Sequence, residues 1–241
     1  MKKGFLVAGF AMLSAGAFAQ TNLQVFYDFG ENRKMVTTTL EMFKSDDWGS
    51  TFFFVDYDYA DKDTRDLKNY GAQGSYFEIA RGLNFWKDSN LGALSAHVEF
   101  NSGVGFGSRN WLFGAEYFMH SADFANTLTL EVLYKTFCGN ADSDLPIQLT
   151  AVWGMNNIFG VEGLSFSGFA DIWGESVVNF MEGAQESADF VFISEPQLWY
   201  NVGKHFGCEN LNLGAEVELS SNFAGYDGFK ARPCLGLKWN F

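Results

Sequence analysis

Residues 211–220 read Leu-Asn-Leu-Gly-Ala-Glu-Val-Glu-Leu-Ser, and this stretch decides the fold. Every second side chain, from Leu211 to Leu219, is apolar, whereas the positions between them carry Asn, Gly, Glu and Ser. Strict alternation of this kind is typical of a β-strand that has one apolar face and one polar face. The same alternation recurs at 94–101 and 125–136. The sequence therefore predicts an all-β protein.

Alternating segments follow one another along the chain after residue 20. We count twelve of them, at 22–30, 34–44, 48–60, 73–83, 92–102, 110–120, 125–136, 145–154, 163–175, 188–202, 210–220 and 230–241. An even number of strands, each about ten residues long, is typical of a bacterial outer-membrane barrel. The 222 residues that follow residue 19 leave no room for a second domain. We therefore predict a single transmembrane, antiparallel, up-and-down β-barrel of about 12 strands at residues 20–241.

The connections between the segments differ in length, which predicts the orientation of the barrel. Those at 61–70, 101–109 and 175–187 are comparatively long and polar, whereas those at 45–47 and 121–124 are short. Outer-membrane barrels carry their longer loops on the extracellular side. We therefore expect the long connections outside the cell and the short ones in the periplasm.

The N-terminus carries an export signal. Lys2 and Lys3 precede a short apolar run at 4–13, and small residues lead to Ala17-Phe-Ala19. A basic start, a short apolar core and an A-x-A end are typical of a secretory signal peptide, here residues 1–19. We therefore expect export and cleavage before Gln20.

Charge and composition exclude several classes of function. The chain has 16 Lys and Arg against 29 Asp and Glu, a formal net charge of −13, which argues against binding nucleic acid. Its 3 Cys are scattered, without a C-x-x-C pair, and indicate neither a disulfide framework nor a zinc site. We expect no cofactor. Asp61, Asp63 and Asp66 form an acidic cluster that we interpret as solvent-exposed charges. The alternative is that they bind a divalent cation.

Two features favour lipid over a second sheet as the contact of the apolar faces. Aromatic residues gather near the strand ends, as interfacial girdles do in membrane proteins; they are Tyr27, Trp48, Tyr59, Trp86, Trp111, Tyr117, Trp153 and Trp239. The chain also ends in alternating apolar residues up to a terminal Phe241, which resembles the signal read by the barrel-assembly machinery. We therefore expect the outer membrane of a Gram-negative-type bacterium as the location, with outer-membrane lipid and that machinery as partners.

If the apolar rows face lipid, the other rows face the lumen and combine carboxylates with rings. The residues expected there are Phe26, Asp28, Phe54, Asp56, Asp58, Tyr76, Glu78, Glu99, Glu116, Phe118, Asp171, Trp173, Glu195, Trp199 and Lys238. An acidic lumen attracts cations and neutral solutes and repels anions. Rings beside hydrogen-bond acceptors suit a solute that has a flat face and hydroxyl groups, such as a nucleoside. The alternatives are a polar plug and rings that merely fill a narrow interior.

Three short segments resemble the Tsx-type family of nucleoside-specific outer-membrane channels. They are Tyr76-Phe-Glu-Ile-Ala-Arg-Gly-Leu-Asn-Phe85, the opening Leu23-Gln-Val-Phe-Tyr-Asp28 and the terminal Trp239-Asn-Phe241. The resemblance implies a monomeric twelve-strand barrel that passes nucleosides passively down their gradient. It also implies that Glu78 and Arg81 are lumen residues, although Ala80 stands where the family has Pro before the Arg. By strict alternation Arg81 lies on the opposite face from Glu78, so that a lumen position needs a bulge or a place near the periplasmic end.

Two other functions remain as alternatives to a nucleoside channel. A general small porin is one, although its lumen would place acids and bases on opposing walls. An outer-membrane lipid hydrolase is the other and needs a Ser, a His and an orienting acid within hydrogen-bond reach. Ser95, His97 and Glu99 share one face, but same-face neighbours on a strand lie about 6.6 Å apart. We therefore expect a channel rather than an enzyme.

Overall fold

In the computed structural model the described residues are 20–30, 33–59, 72–104, 109–137, 143–183 and 186–241. Their strands are β1 (Gln20–Asp28), β2 (Val36–Asp46), β3 (Gly49–Tyr59), β4 (Ala72–Leu83), β5 (Leu94–Val104), β6 (Arg109–His120), β7 (Asn126–Phe137), β8 (Ile147–Asn156), β9 (Leu164–Asn179), β10 (Glu186–Ser194), β11 (Gln197–Tyr200), β12 (Leu211–Ser221) and β13 (Phe229–Asn240). Short 3-10 turns lie at Ile158–Gly160, Met181–Gly183 and Gly203–Phe206. None of the helices in this described part is long and apolar enough to cross a membrane.

The strands form one antiparallel sheet that closes on itself. From β1 to β10 each strand pairs with the next, β12 pairs with β13, and β1 pairs with β13, from Asn22 opposite Asn240 to Asp28 opposite Cys234. Because the sheet closes, it has no unpaired edge strand. Unpaired backbone N–H and C=O groups would cost free energy in the membrane. The predicted up-and-down β-barrel is confirmed.

Two of these segments, β10 and β11, are halves of one barrel strand, which gives twelve strands in the described chain. Both halves pair with β9 and with β12. The break falls at Glu195-Pro196, where proline has no N–H to donate to the ladder. On β9 the facing residue is Gly168, with φ +151°, and a Cβ there would overlap the Glu195 carbonyl. The predicted single segment 188–202 therefore exists with a break in its ladder at Glu195-Pro196, across which the register continues from Ser194 to Gln197.

The outside of the barrel is apolar and is bordered by aromatic rings. Exposed side chains of the outward rows include Val25, Leu130, Leu149, Leu213 and Leu237. At the end that holds Gln20 and Asn240, here called the proximal end, the exposed rings are Trp48, Trp86, Tyr117 and Trp239. At the opposite, distal end they are Tyr27, Tyr59, Trp111 and Tyr134. This surface is the one that a bilayer covers, with a girdle at each interface.

The strands are longer than alternation alone predicted at two connections. The expected connection 101–109 is mostly strand, because β5 runs to Val104, which pairs with Ser75, and β6 begins at Arg109. The expected connection 175–187 is shortened likewise, because β9 continues to Asn179 opposite Glu186. The short turn between β2 and β3 is confirmed at residues 47–48. The signal peptide at 1–19, the loop at 61–70 and Cys138 lie outside the described residues.

The turn between β6 and β7 is held by a side chain. The Ser121 hydroxyl donates to Asp123 Oδ1 at 2.6 Å, and the Ala125 N–H donates to the same oxygen at 3.1 Å. These hydrogen bonds to the carboxylate, that of Ser121 first, lower the pKa of Asp123. A tight turn therefore forms at the proximal end, as the sequence predicted for 121–124.

Candidate functional site

The inner wall of the barrel carries a surplus of carboxylates that form two groups. The middle group lies on β4 to β9, about half-way along the barrel, and consists of Glu78, Glu99, Glu116, Glu131 and Asp171. The distal group lies on β1, β3, β12 and the break between β10 and β11, and consists of Asp28, Asp56, Asp58, Glu195, Glu216 and Glu218. Alternation along the strands places the members of both groups on the inner rows.

In the middle group three carboxylates surround one imidazole. His97 Nδ1 lies 2.8 Å from Glu116 Oε2 and 3.9 Å from Glu131 Oε2, and His97 Nε2 lies 3.5 Å from Glu99 Oε2. Asn101 donates to the other oxygen of Glu99 at 2.9 Å. Adjacent strands supply these groups, since His97 and Glu99 lie on β5, Glu116 on β6 and Glu131 on β7. The result is a compact anionic centre in the wall of the lumen.

Thr residues support carboxylates on both sides of the lumen. Thr39 donates to Asp56 at 2.6 Å and Thr37 to Asp58 at 2.7 Å, each across the β2–β3 pair. Thr150 donates to Asp171 at 2.6 Å across the β8–β9 pair. Such neutral donors stabilise a carboxylate without cancelling its charge. At these positions neutral donors therefore orient the carboxylates.

The distal group, in contrast, is partly neutralised by two arginines. Glu218 accepts hydrogen bonds from both Arg33 and Arg232, and Arg33 Nε also lies 2.9 Å from Asp28 Oδ2. Arg33 belongs to the connection between β1 and β2, so this pairing ties that connection to the inside of the barrel. Desolvation is the largest single effect on Arg33 and lowers its pKa. The carboxylates Glu218 and Asp28 together outweigh it, so that the pKa of Arg33 is raised.

Several rings expected to meet a solute are instead packed away. Trp199 is 1% exposed, lies 5.5 Å from the Phe26 ring and carries Lys238 Nζ at 4.2 Å over its face. Gly214 and Gly236 make room for it, because a Cβ at either position would come within contact distance of the ring. Phe26, Trp199 and Lys238 lie on inward rows, and their side chains fill part of the interior.

A second packed ring is Trp173 on β9. Lys135 Nζ lies 3.6 Å from its ring centroid, and its indole N–H donates to Glu175 at 2.5 Å. Val191 and Ile193 pack beside it on the inner face. Trp173 is thus an inward residue, as predicted, but most of its surface is occupied by the protein itself.

Two predicted rings remain half-exposed inside the barrel. Phe54 on β3 lies 5.7 Å from Tyr76 on β4 and 5.9 Å from Phe52, all on the inner face. Asp56 and Glu78 each follow one of these rings two positions along its strand, on the same face. Phe52, Phe54 and Tyr76, here called the aromatic strip, therefore present rings next to carboxylates.

Two predicted lumen residues lie elsewhere or at the margin. Arg81 was expected inside, and this is wrong: it shares the outward row with the exposed Ile79 and bonds Thr51 and Asp46 at 2.9 and 2.8 Å. No bulge reverses the alternation, so the side chain stays outside at the proximal rim. Phe118 is inward but near that rim, stacked on His120 at 5.4 Å.

Sequence reasoning did not select the charged centres as units. The sequence names His97 only beside Ser95 and Glu99 in the hydrolase alternative, and Arg33 falls between the predicted segments 22–30 and 34–44. Alternation alone predicts that His97 points inward. It does not predict that Glu116 and Glu131 on the next two strands lie beside it. The strand register supplies this information, since His97 pairs with Gly114 and Glu116 with Glu131.

The geometry does not support a hydrolase at Ser95, His97 and Glu99. Among the described residues no hydrogen bond joins Ser95 to His97, whose Nδ1 is directed to Glu116. A nucleophile needs a base within hydrogen-bond reach. The centre has carboxylates where that mechanism would place the serine hydroxyl.

Comparison with known proteins gives a family and a fold. The family model that matches, over residues 19–241, is described as a domain of unknown function, DUF5020. The chain is similar to the KdgM porin, with 11% identity, a TM-score of 0.50, and coverage of 92% of this chain and 99% of that chain. The NanC porin gives 6% identity, a TM-score of 0.55, and coverage of 92% and 100%. No curated protein matches.

At these identities the likeness shows the fold alone, which is that of outer-membrane porins. Together with the apolar exterior and its two aromatic girdles, this fold confirms the outer-membrane location predicted from the sequence. The finer Tsx-type resemblance stays a prediction.

Proposed function

The chain belongs to the DUF5020 family, and from its interior we propose that it is an outer-membrane channel that passes small cationic and neutral solutes and rejects anions. One observation carries this proposal: the inner wall keeps two groups of carboxylates, and among the described residues arginines pair with members of the distal group only. A pore wall of one charge sign raises the local concentration of counter-ions and lowers that of like-charged solutes. The porin-type fold supports a channel in general.

The acidic inner wall suggests that this chain and the KdgM porin differ in the solutes they accept. One KdgM porin structure is described as a complex with disordered oligogalacturonate, which is a chain of sugar carboxylates. An interior lined by carboxylates, among them Asp56, Glu78 and Asp171, would repel a polyanion of that kind. We therefore propose that the two proteins differ in solute although they share a fold.

Ion selectivity in planar bilayers tests the proposal. With a salt gradient across the membrane, the reversal potential of the purified protein should show preference for cations. Asp56→Asn combined with Asp171→Asn should move that potential toward zero, because both residues lie on the inner wall. Asp123→Asn is the control, since Asp123 is exposed in the β6–β7 turn. Anion preference of the unmodified protein, or an equal effect of the control, would refute an acidic conduction path.

We further propose nucleosides as the preferred solutes, for which the aromatic strip is the support. A base stacked on a ring gains about 1–3 kcal/mol, and ribose hydroxyls can donate to Asp56 and Glu78. A nucleotide would bring its phosphate against carboxylates of the same sign. The rings of the strip are less buried than Trp199, which is 1% exposed.

Solute block of the ion current tests this finer proposal. Adenosine or thymidine should reduce the current at concentrations at which ribose and AMP do not, and Phe54→Ala should weaken that block. Trp48→Ala, which removes a ring outside the barrel, should not. Equal block by all four compounds, or none, would remove the nucleoside proposal and leave the channel proposal intact.

A monomeric state and recognition of Phe241 by the barrel-assembly machinery stay predictions. Phe241 is exposed, and its N–H donates to the Thr21 carbonyl at 2.9 Å, next to the β1–β13 seam. Its side chain is thus free for contact at the proximal end.

A further inference from the structure

The anionic centre around His97 has the composition of a metal site. His97, Glu99 and Glu131 each offer one ligand atom, and these atoms lie within 4.8 Å of one another. All three residues are buried in the barrel wall. Imidazole nitrogen and carboxylate oxygen are the usual protein ligands of divalent first-row ions.

One atom of this centre is left without a partner. His97 is 7% exposed, and within the described part of the chain its Nε2 has no hydrogen bond, although Glu99 Oε2 lies 3.5 Å away. An unpaired polar atom in a buried position costs free energy, so such atoms are rare unless they meet a ligand. Nε2 points to the side where Glu99 lies, whereas Glu116 and Glu131 lie nearer to Nδ1.

The other imidazole nitrogen is held in the way that metal-binding histidines require. Nδ1 lies 2.8 Å from Glu116 Oε2, and in a neutral imidazole that donates from Nδ1 to Glu116 the free lone pair is on Nε2. A histidine that binds metal usually donates its second N–H to a carboxylate in this manner. The Glu116 carboxylate lies against Gly82, and a Cβ at position 82 would overlap it. Glycine at this position therefore leaves room for Glu116.

We propose that His97, Glu99 and Glu131 form a binding site for a divalent transition-metal ion inside the barrel, and that Glu116 is the positioning residue. The nitrogen ligand favours Zn²⁺ and its neighbours in the first row over Mg²⁺ and Ca²⁺, which prefer oxygen ligands alone. A dication also offsets the carboxylates that crowd this part of the wall. The site goes beyond the proposed channel and does not depend on conduction.

The alternative is an ion pair between a protonated His97 and its glutamates, with no metal. In that arrangement both ring nitrogens would donate hydrogen bonds, yet Nε2 does not reach Glu99 in bonding geometry. The two arrangements differ in what they do with added metal, so a binding measurement separates them.

The test uses the full mature chain, folded in detergent and stripped with a chelator. Titration calorimetry with Zn²⁺ in the presence of excess Mg²⁺ should give one saturable equivalent, and Co²⁺ should develop visible absorption bands. His97→Gln and Glu131→Gln should each abolish both signals, whereas Glu116→Gln should weaken Zn²⁺ binding by about 10–100-fold. His205→Gln is the control, because His205 lies on an exposed turn and bonds the Tyr200 hydroxyl.

Each outcome decides the proposal. Absence of saturable Zn²⁺ binding, displacement of Zn²⁺ by Mg²⁺, or loss of binding in His205→Gln would overturn it. If His97→Gln does not fold, as judged by circular dichroism, the nearly isosteric Glu131→Gln takes its place, and unchanged binding there would overturn the site. Because no current is measured, a barrel that does not conduct leaves the result valid.

Discussion

Replacement of Trp199 by alanine should destabilise the barrel strongly, because this ring is the largest fully buried side chain of the interior. Its indole is 1% exposed, its N–H donates to Gln197 at 2.8 Å, and the Phe26 ring and Lys238 Nζ lie on it. Trp199→Ala removes these contacts, and it leaves behind a cavity beside Gly214 and Gly236, which have no side chains to fill it.

The magnitude follows from the burial. Truncation of a buried Phe or Trp to Ala costs about 3–5 kcal/mol. Loss of the cation–π contact adds to this by up to about 2 kcal/mol where the ammonium is desolvated, although the two contributions overlap. We expect a loss of about 4 kcal/mol in the free energy of unfolding. At about 1.4 kcal/mol for each factor of ten, this changes the unfolding equilibrium by roughly a thousandfold.

Reversible urea unfolding in phospholipid vesicles, followed by circular dichroism of the strands, measures this difference without relying on tryptophan fluorescence. The matched control is Trp48→Ala, since Trp48 is 65% exposed in the turn between β2 and β3. A loss below about 1 kcal/mol for Trp199→Ala, equal to that of the control, would refute the packed interior, because surface substitutions usually have effects of that size or smaller.

Three other substitutions test separate parts of the structure. Gly236→Leu should cost about 1–3 kcal/mol in the same unfolding assay, because its Cβ would stand 2.6 Å from the Phe26 ring; no loss would contradict that close approach. Glu218→Gln should cost about 3 kcal/mol, since buried Arg232 loses its carboxylate, and an unchanged midpoint would argue against the pairing. Arg81→Ala should cost less than about 1 kcal/mol and leave the reversal potential unchanged, and a shifted potential would place Arg81 in the lumen after all.

The strands of this protein could be predicted because alternation is a local property. If the register of a strand slipped by one residue, its apolar side chains would face the lumen and its polar ones the lipid. The alternation of apolar and polar residues must therefore hold along each strand. All twelve predicted segments have a strand at their position in the described chain. The ends were less certain, since β5 and β9 continue where Gly, Ser and Glu interrupt the apolar pattern, and pairing with the next strand keeps them extended.

The candidate site was harder to predict, because alternation assigns a face and says nothing about depth or partners. It put Phe54 and Trp199 on the same inner face, yet one is half-exposed and the other buried. Which of them is packed depends on Gly214 and Gly236 on neighbouring strands, and thus on register. The family resemblance was least reliable for Arg81, because it overrode the alternation that placed this residue outside.

The carboxylates of the lumen differ from one another in a way that separates structure from function. At the distal end the arginines bind Glu218 and Asp28, so these acids are used to hold the β1–β2 connection. Asp56 and Asp171 have hydroxyl donors instead, which orient a carboxylate and leave its charge available to a solute. Selectivity should therefore depend on Asp56 and Asp171 more than on Glu218, whereas stability should depend on Glu218 more than on either of them.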